Sequence, residues 1–386
     1  MIKYMEAIEL KYPHLAKIRV LGKTHQRRPI TTIKLGNPVD NEDKPAIWID
    51  GGIHAREWAA PHTAIYFIHH IISRYGRDDD ITHILDHVNI FITPVVNPDG
   101  YEYTRSSLQP KIRLWRKNRA PSECNTDRWG RKRCCMGVDL NRNFQFFWGQ
   151  SGSSDHPCSE IYAGKAPFSE PESQAVRDAL MSPPLRGKVD AFFTLHTYSQ
   201  IWVHPYGHRV KDYPSDKDQL KTLGDEAAKA LKSVYGTEYV VGSGADTLYP
   251  AAGGSDDWAK AVAGVKYVYL LELRPDERQW DGFILDESEL IPTGRETFEG
   301  VKVVIDQVLK DHRITRADVE RSRSASATRL VRVGAFRSGA AIDECHDRRY
   351  ACKQWVTKDN HVCESAKIFM RLQCPFSCKF CTPPTS

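Results

Sequence analysis

Three of the four short apolar runs in this chain end on or just before a residue able to do chemistry, which limits the folds open to it. Ala46-Ile47-Trp48-Ile49-Asp50 stops at Gly51-Gly52, with His54 immediately beyond. Val189 to His196 ends on a second histidine, and Val265 to Glu272 ends on a carboxylate. Val88 to Val96 closes on Asn97-Pro98-Asp99-Gly100, a strong turn signal. Apolar runs of this length read as buried strands. Residues 58–75, 215–233 and 288–311 carry helical spacing, as do residues 2–12 up to Pro13. Strands alternating with helices, and no internal repeat, predict an α/β fold: a mixed central sheet flanked by helices, with its chemistry at strand ends.

The same chemistry shows in two separated fragments. In His54-Ala55-Arg56-Glu57 a histidine and a glutamate three residues apart reach one ion from a single turn. His196, in Leu195-His196-Thr197-Tyr198, supplies a third donor. Together they read as the ligand set of a catalytic Zn2+ site, three corners of a tetrahedron with the fourth left open. The chain has 15 histidines, and a lone one is usually structural, so the ordered context has to carry this reading.

Charge and cysteine placement divide the chain. From Arg313 onward there are 14 Lys+Arg against 7 Asp+Glu, so the net charge of +5 comes from the tail and the body is slightly acidic. The body is not built to bind a polyanion, and the tail's arginines have no aromatic platform beside them; no nucleic-acid partner is expected. No apolar run approaches the ~18 residues that cross a bilayer. Six of the ten cysteines (Cys345, Cys352, Cys363, Cys374, Cys378 and Cys381) fall in the last 42 residues. So short a segment needs staples, and without paired C-x₂-C spacings disulfides are favoured over a zinc knuckle. An oxidising, extracellular location follows. The opening Met1-Ile2-Lys3-Tyr4-Met5-Glu6 has no apolar core of a signal peptide; the cysteines carry more weight, so the chain is expected to lack its true beginning. Three segments are expected: a catalytic domain over 1–312, a basic flexible linker over 313–343 and a disulfide domain over 344–382.

Taken in order, the fragments resemble the funnelin-type zinc carboxypeptidases related to pancreatic carboxypeptidases A and B. They are Asp50-Gly51-Gly52-Ile53-His54-Ala55-Arg56-Glu57-Trp58, Asn97-Pro98-Asp99-Gly100-Tyr101, Trp115-Arg116-Lys117-Asn118-Arg119 and Gly137-Val138-Asp139-Leu140-Asn141-Arg142-Asn143. Leu195-His196-Thr197-Tyr198-Ser199, Tyr249-Pro250 through Asp256-Asp257-Trp258, Leu271-Glu272-Leu273-Arg274 and Ile291-Pro292-Thr293 complete the set. The resemblance implies a zinc exopeptidase acting on peptide and protein C-termini, a monomer with one Zn2+. It implies that His54, Glu57 and His196 hold the metal and that Asp139 fixes the His54 tautomer. Glu272 would take a proton from the attacking water and deliver it to the leaving amine. Arg119 would polarise the scissile carbonyl, with Arg56 and Arg116 lining the same electropositive groove. Arg142, a planar fork, would grip the terminal carboxylate together with Asn141. Tyr249 would cap the terminal residue, and Tyr198 would lie toward upstream residues.

Specificity turns on Asp256, which resembles the pocket-floor residue of this family. An aspartate there implies preference for terminal Lys or Arg, an apolar residue the A-type preference for aromatic side chains. Gly244 falls where B-type enzymes keep the pocket wall open. Ser255-Asp256-Asp257 reads equally as the acidic first turn of a helix. Cys135 and Cys158 resemble a bridge common in vertebrate relatives. Cys124 and Cys134 flank an insert that departs from those relatives and can carry its own bridge, although adjacent Cys134-Cys135 leaves the pairing open. The tail resembles a ShK toxin-like domain. That resemblance implies Cys345–Cys381, Cys352–Cys374 and Cys363–Cys378, and a protein or matrix partner by analogy. Where channel-blocking members carry a Lys-Tyr pair this chain has Ile368-Phe369, so channel block is not expected.

The family usually carries an N-terminal inhibitory prosegment, and none is read here. A catalytically silent binding relative would be marked by loss of a ligand or of Glu272, and all are present. An amidoacid deacylase on the same fold would lack the Asn141-Arg142 clamp with Tyr249 downstream.

Overall fold

The computed structural model describes residues 1–126, 130–314, 347, 352–358, 361–365 and 367–381. Residues 315–343 of the expected linker, and Cys345 with its expected bridge to Cys381, lie outside them. Eight strands form one mixed sheet: β1 (Ala16–Lys23), β2 (Pro29–Leu35), β3 (Ala46–Gly51), β4 (Asn89–Thr93), β7 (Val189–Ser199), β8 (Ile201–His204), β9 (Val240–Ser243) and β10 (Tyr267–Asp276). Their order is β1-β2-β4-β3-β7-β10-β8-β9. The central four, β4, β3, β7 and β10, are parallel. β5 (Glu123–Thr126) and β6 (Lys132–Cys135) form a separate ribbon, in which Cys124 and Cys134 sit opposite each other and are disulfide-bonded. A second bridge joins Cys135 to Cys158.

The central strands carry apolar residues on both faces because both faces are covered. Ile47, Ile49, Phe193, Leu195, Tyr269 and Leu271 face a core shared with Phe67, Ile71, Leu220 and Phe298. These come from the helices Ala59–Arg74, Lys217–Tyr235 and Leu290–Asp311. The alternate residues Trp48, Phe91, Phe192 and Val268 face Phe144, Phe168, Val176 and Trp258. Side chains alternate along a strand, so His196 and Glu272 continue the Phe192 and Val268 face. Glu272 is registered beside His196, and Gly51 beside Leu195. Asn97-Pro98-Asp99-Gly100 is not a free turn. The Asn97 side chain accepts from Gly100 N–H and caps the helix Pro98–Arg105, with Pro98 at a first-turn position where its missing N–H costs nothing.

One buried side chain ties the 116–119 segment into the fold. Asn118 Oδ1 accepts from the Ala120 and Val138 N–H groups. Its Nδ2 donates to Glu170 at 2.7 Å and to Glu172 at 3.0 Å, and Glu170 also bonds His25 Nε2 at 2.9 Å. Two buried glutamates this close cannot both ionise cheaply. Burial, reinforced by the Glu170 charge, pushes Glu172 up to about 7. A carboxyl raised above its ordinary 4.5 leaves stability intact below 4.5 and erodes it as the pH climbs from there through about 7. Glu172→Gln, which keeps an acceptor for Asn118, is therefore expected to gain roughly 2 kcal/mol over the native chain between pH 5 and pH 8. Urea unfolding at the two pH values measures it, and parallel pH profiles for both proteins would refute it.

Candidate active site and metal centre

His54 lies just beyond β3, in the tight approach to the helix Ala59–Arg74, and Glu57 lies one turn on. β7 brings His196 from the other side. All three side chains are buried. His54 Nδ1 is 2.8 Å from Glu57 Oε1 and 3.2 Å from His196 Nδ1, and His196 Nδ1 is 3.1 Å from Glu57 Oε2. Ligands about 2.0 Å from a tetrahedral zinc lie roughly 3.3 Å from one another, so the donor set is already at the right spacing. Each ring uses its other nitrogen elsewhere. His54 Nε2 bonds Asp139 Oδ1 at 3.1 Å, and His196 Nε2 bonds Thr194 Oγ1 at 3.3 Å. Those outer bonds direct both Nδ1 atoms at a common point, and the residues fit a zinc ion.

Around this point charge is densely balanced. Burial pushes the Glu57 carboxyl up, but His54 and His196 outweigh it and hold the group below the ordinary carboxylate range. Asp139 is likewise buried, yet Arg116 and His54 keep it well below that range. Arg116 Nε donates to Asp139 Oδ2 at 3.0 Å, and its Nη1 lies 3.8 Å from Glu57. Glu272 is different. Burial raises it to about 8, and among the described residues its Oε2 has no hydrogen-bond partner. A partly buried carboxyl with a buried, unengaged oxygen beside a metal-ligand set is equipped to take and return a proton.

Arg119 departs from the sequence reading. Its guanidinium stacks 3.7 Å from the Tyr103 ring centre and 4.8 Å from that of Trp115, with Nη2 on Met136 Sδ. Among the described residues it bonds none of the zinc-site side chains. Arg116 and Asn118 are buried, and Arg116 lies on Asp139 beside Glu57. Arg113 is buried, donates to the Arg56 and Phe283 carbonyls and stacks 3.7 Å over Trp58. Its position close before Trp115-Arg116 was the only sequence signal for it. Thr194, two residues before His196, was unread as well.

The remaining expected residues collect on two sides. Arg142 is oriented by Nε to Gly152 O at 2.7 Å and Nη1 to Asn141 O at 2.8 Å. Asn141 Oδ1 accepts from Ser255 N–H and so caps the helix Ser255–Ala261, which carries Asp256. Asp257 is taken up by the Gly207 and His208 N–H groups. Asp256 is buried, and burial together with the Asp257 charge raises it to about 7. Gly244 has a packing reason of its own: a Cβ there would lie 3.1 Å from Gly207 Cα. Tyr249 is 57% exposed. Arg56 stacks 4.3 Å over Phe283, which meets the Tyr198 ring at 5.0 Å.

A mixed sheet that carries a buried His₂Glu donor set and an adjacent high-pKa carboxyl at its strand ends is a metallohydrolase. The zinc carboxypeptidase (Peptidase_M14) family model matches residues 1–300, and a ShK domain-like model matches residues 344–381. Carboxypeptidase B of Astacus astacus is 46% identical over 301 residues, covering 78% of this chain and 92% of that protein. Carboxypeptidase A4 of Mus musculus is 40% identical over 308 residues, covering 80% and 68%. The structure of bovine thrombin-activatable fibrinolysis inhibitor in complex with tick carboxypeptidase inhibitor aligns at TM-score 0.71 and 36% identity, over 80% of this chain and 96% of that one. The chain belongs to the zinc carboxypeptidase family: it is a zinc-dependent peptidase that removes residues from peptide and protein C-termini.

Elemental analysis is expected to find one zinc per chain, and adding zinc to stripped protein should raise its melting temperature. At a hundredfold excess over Kd the stabilisation is about 2.7 kcal/mol. His196→Ala should lose both effects; retention of stoichiometric zinc by that variant would show the metal to be held elsewhere.

Proposed function

We propose that the enzyme prefers C-terminal Lys or Arg. The observation that carries this reading is Asp256: a buried carboxyl whose neighbouring charges are Asp257, which repels it, and His196. A buried carboxylate without a basic partner is costly, and a cationic side chain entering from the substrate removes that cost. Relatives bearing both A and B names are similar to this chain, so the preference rests on that residue.

In this reading His54, Glu57 and His196 hold zinc, which when bound supplies the Lewis acid that polarises the carbonyl and acidifies water. Asp139 holds the His54 ring through Nε2. Glu272 takes the proton of the attacking water and hands it to the leaving amine. Arg116, held by Asp139 next to Glu57, stabilises the oxyanion, the role the sequence reading gave to Arg119. Arg142 and Asn141 receive the terminal carboxylate, and Tyr249 closes over the terminal residue. Arg56 and Tyr198 contact residues upstream of the cleaved bond. The disulfides fit an oxidising, extracellular setting, with residues 1–312 as the catalytic domain and 344–382 as a separate cystine-bonded one.

Two peptides differing only in a final Arg or Phe test the preference. The Arg peptide should have the higher kcat/KM, rising with pH through about 7 as Asp256 ionises. Asp256→Asn should remove that limb and cost roughly 10²–10³ in kcat/KM for Arg, the size expected when one partner of a buried ion pair is lost. A faster Phe peptide would make Asp256 a helix first-turn residue and the enzyme A-type. Separately, Arg116→Ala is expected to lower kcat by ~10²–10³ while Arg119→Ala changes it only a few-fold. The reverse ranking would restore Arg119 to the groove.

A further inference from the structure

We propose that the C-terminal cystine module docks on its own catalytic domain and buttresses the rim of the substrate groove, setting how tightly residues upstream of the cleaved bond are held. Three tail helices are described: Cys352–Lys358, Val362–Ser365 and Lys367–Gln373. They are stapled by Cys352–Cys374 and Cys363–Cys378. A module this small ordinarily spends its few apolar residues on itself. Here Cys352, Trp355, Val362, Met370 and Cys374 are buried in one continuous apolar cluster with Phe67, Ile71 and Phe298 of the catalytic domain. The second and third tail helices pack on the helix Ala59–Arg74, which starts two residues after Glu57. The surface these side chains fit is the catalytic domain itself.

Trp355 marks where the docking acts. It is 3% exposed, and its indole N–H donates to the Glu287 carbonyl at 2.8 Å. Glu287 closes the loop that leaves β10 after Asp276, a loop with little apolar anchoring of its own: Trp280 is 90% exposed and Ile284 54%. Midway along it, Phe283 has its carbonyl held by Arg113 and its ring against Arg56 and Tyr198. Gly282 lies so close under the Tyr198 ring that an added Cβ would collide with it. A continuous line of contacts therefore runs from Trp355 through residues 283–287 to Tyr198 and Arg56, next in sequence to ligand-bearing segments. An exposed loop that must be ordered on binding weakens affinity by the entropy of ordering it, and an anchor at one end removes part of that cost in advance.

The proposal rests on Arg56 and Tyr198 contacting upstream residues. Its test uses the full chain with Trp355→Ala, which removes the anchor, and Trp355→Phe, which keeps an aromatic ring in part of the space and removes the N–H. Trp355→Ala is expected to speed amide hydrogen exchange in 277–289. It should also raise KM roughly three- to tenfold for a hexapeptide ending in Arg, the loss of about one hydrogen bond or more. KM for a blocked dipeptide ending in Arg and kcat for both substrates should stay within about twofold. Trp355→Phe should fall between. Unchanged exchange in 277–289, or an equal rise of KM for both substrates, overturns the buttress. If the native chain cleaves neither peptide the catalytic reading fails instead, and exchange alone then decides whether the module is seated.

Discussion

Everything at the catalytic end depends on burying ionisable groups in mutual balance. Glu57 and Asp139 are buried carboxyls and Glu272 a partly buried one, and Arg116, Arg142, His54 and His196 stand against them. Isolated, any one would be expensive to bury. Together, Asp139 neutralises Arg116 and orients His54, and Glu57 lies between both imidazoles and a cation. Glu272 is raised first by burial and then by the Glu57 charge. The fold makes this possible because parallel strands with both faces covered present their ends, not their faces, to solvent.

Further from the metal-ligand set, Asn118 has the corresponding role. Its amide satisfies two backbone N–H groups and two glutamates, so the segment carrying Arg116 is fixed by a side chain that never reaches the site. On the other flank Asn141 links the turn bearing Arg142 to the helix bearing Asp256. The site is thus held by buried amides that join elements distant in sequence. The C-terminal module extends the same logic outward, with an indole in place of an amide and the rim loop in place of a catalytic segment.

Much of the fold was legible because the central strands carry largely apolar runs, three of which lead to Gly51, His196 and Glu272. The outer strands β1, β2, β8 and β9 were not read: β1 and β9, at the two edges, are part-exposed with mixed patterning, while β2 is buried but carries Thr31, Thr32 and Lys34, and β8 is only a four-residue strand. Asn97-Pro98-Asp99-Gly100 was read as a turn, and the residues that make turns also cap helices; which of the two forms depends on how the downstream residues pack. The same ambiguity surrounded Ser255-Asp256-Asp257. There Gly254 is the cap, Asp257 is spent on backbone N–H groups and Asp256 is left buried.

Local spacing determined that His54 and Glu57 could share an ion, and residue type determined that Glu272 could act as a base and Arg142 as a carboxylate clamp. Spacing is sufficient where the interacting residues lie on one turn, because backbone geometry alone brings them together. Only the tertiary structure showed Arg116 on Asp139 beside Glu57, and Arg119 against Tyr103 and Trp115. The two lie three residues apart in one motif with the same charge, and which one turns inward is set by Asn118 and Asp139 across the chain. Only the tertiary structure, too, showed Trp355 against Glu287. A tryptophan in a short cystine-bonded helix looks like that module's own core until the surface that covers it is in place.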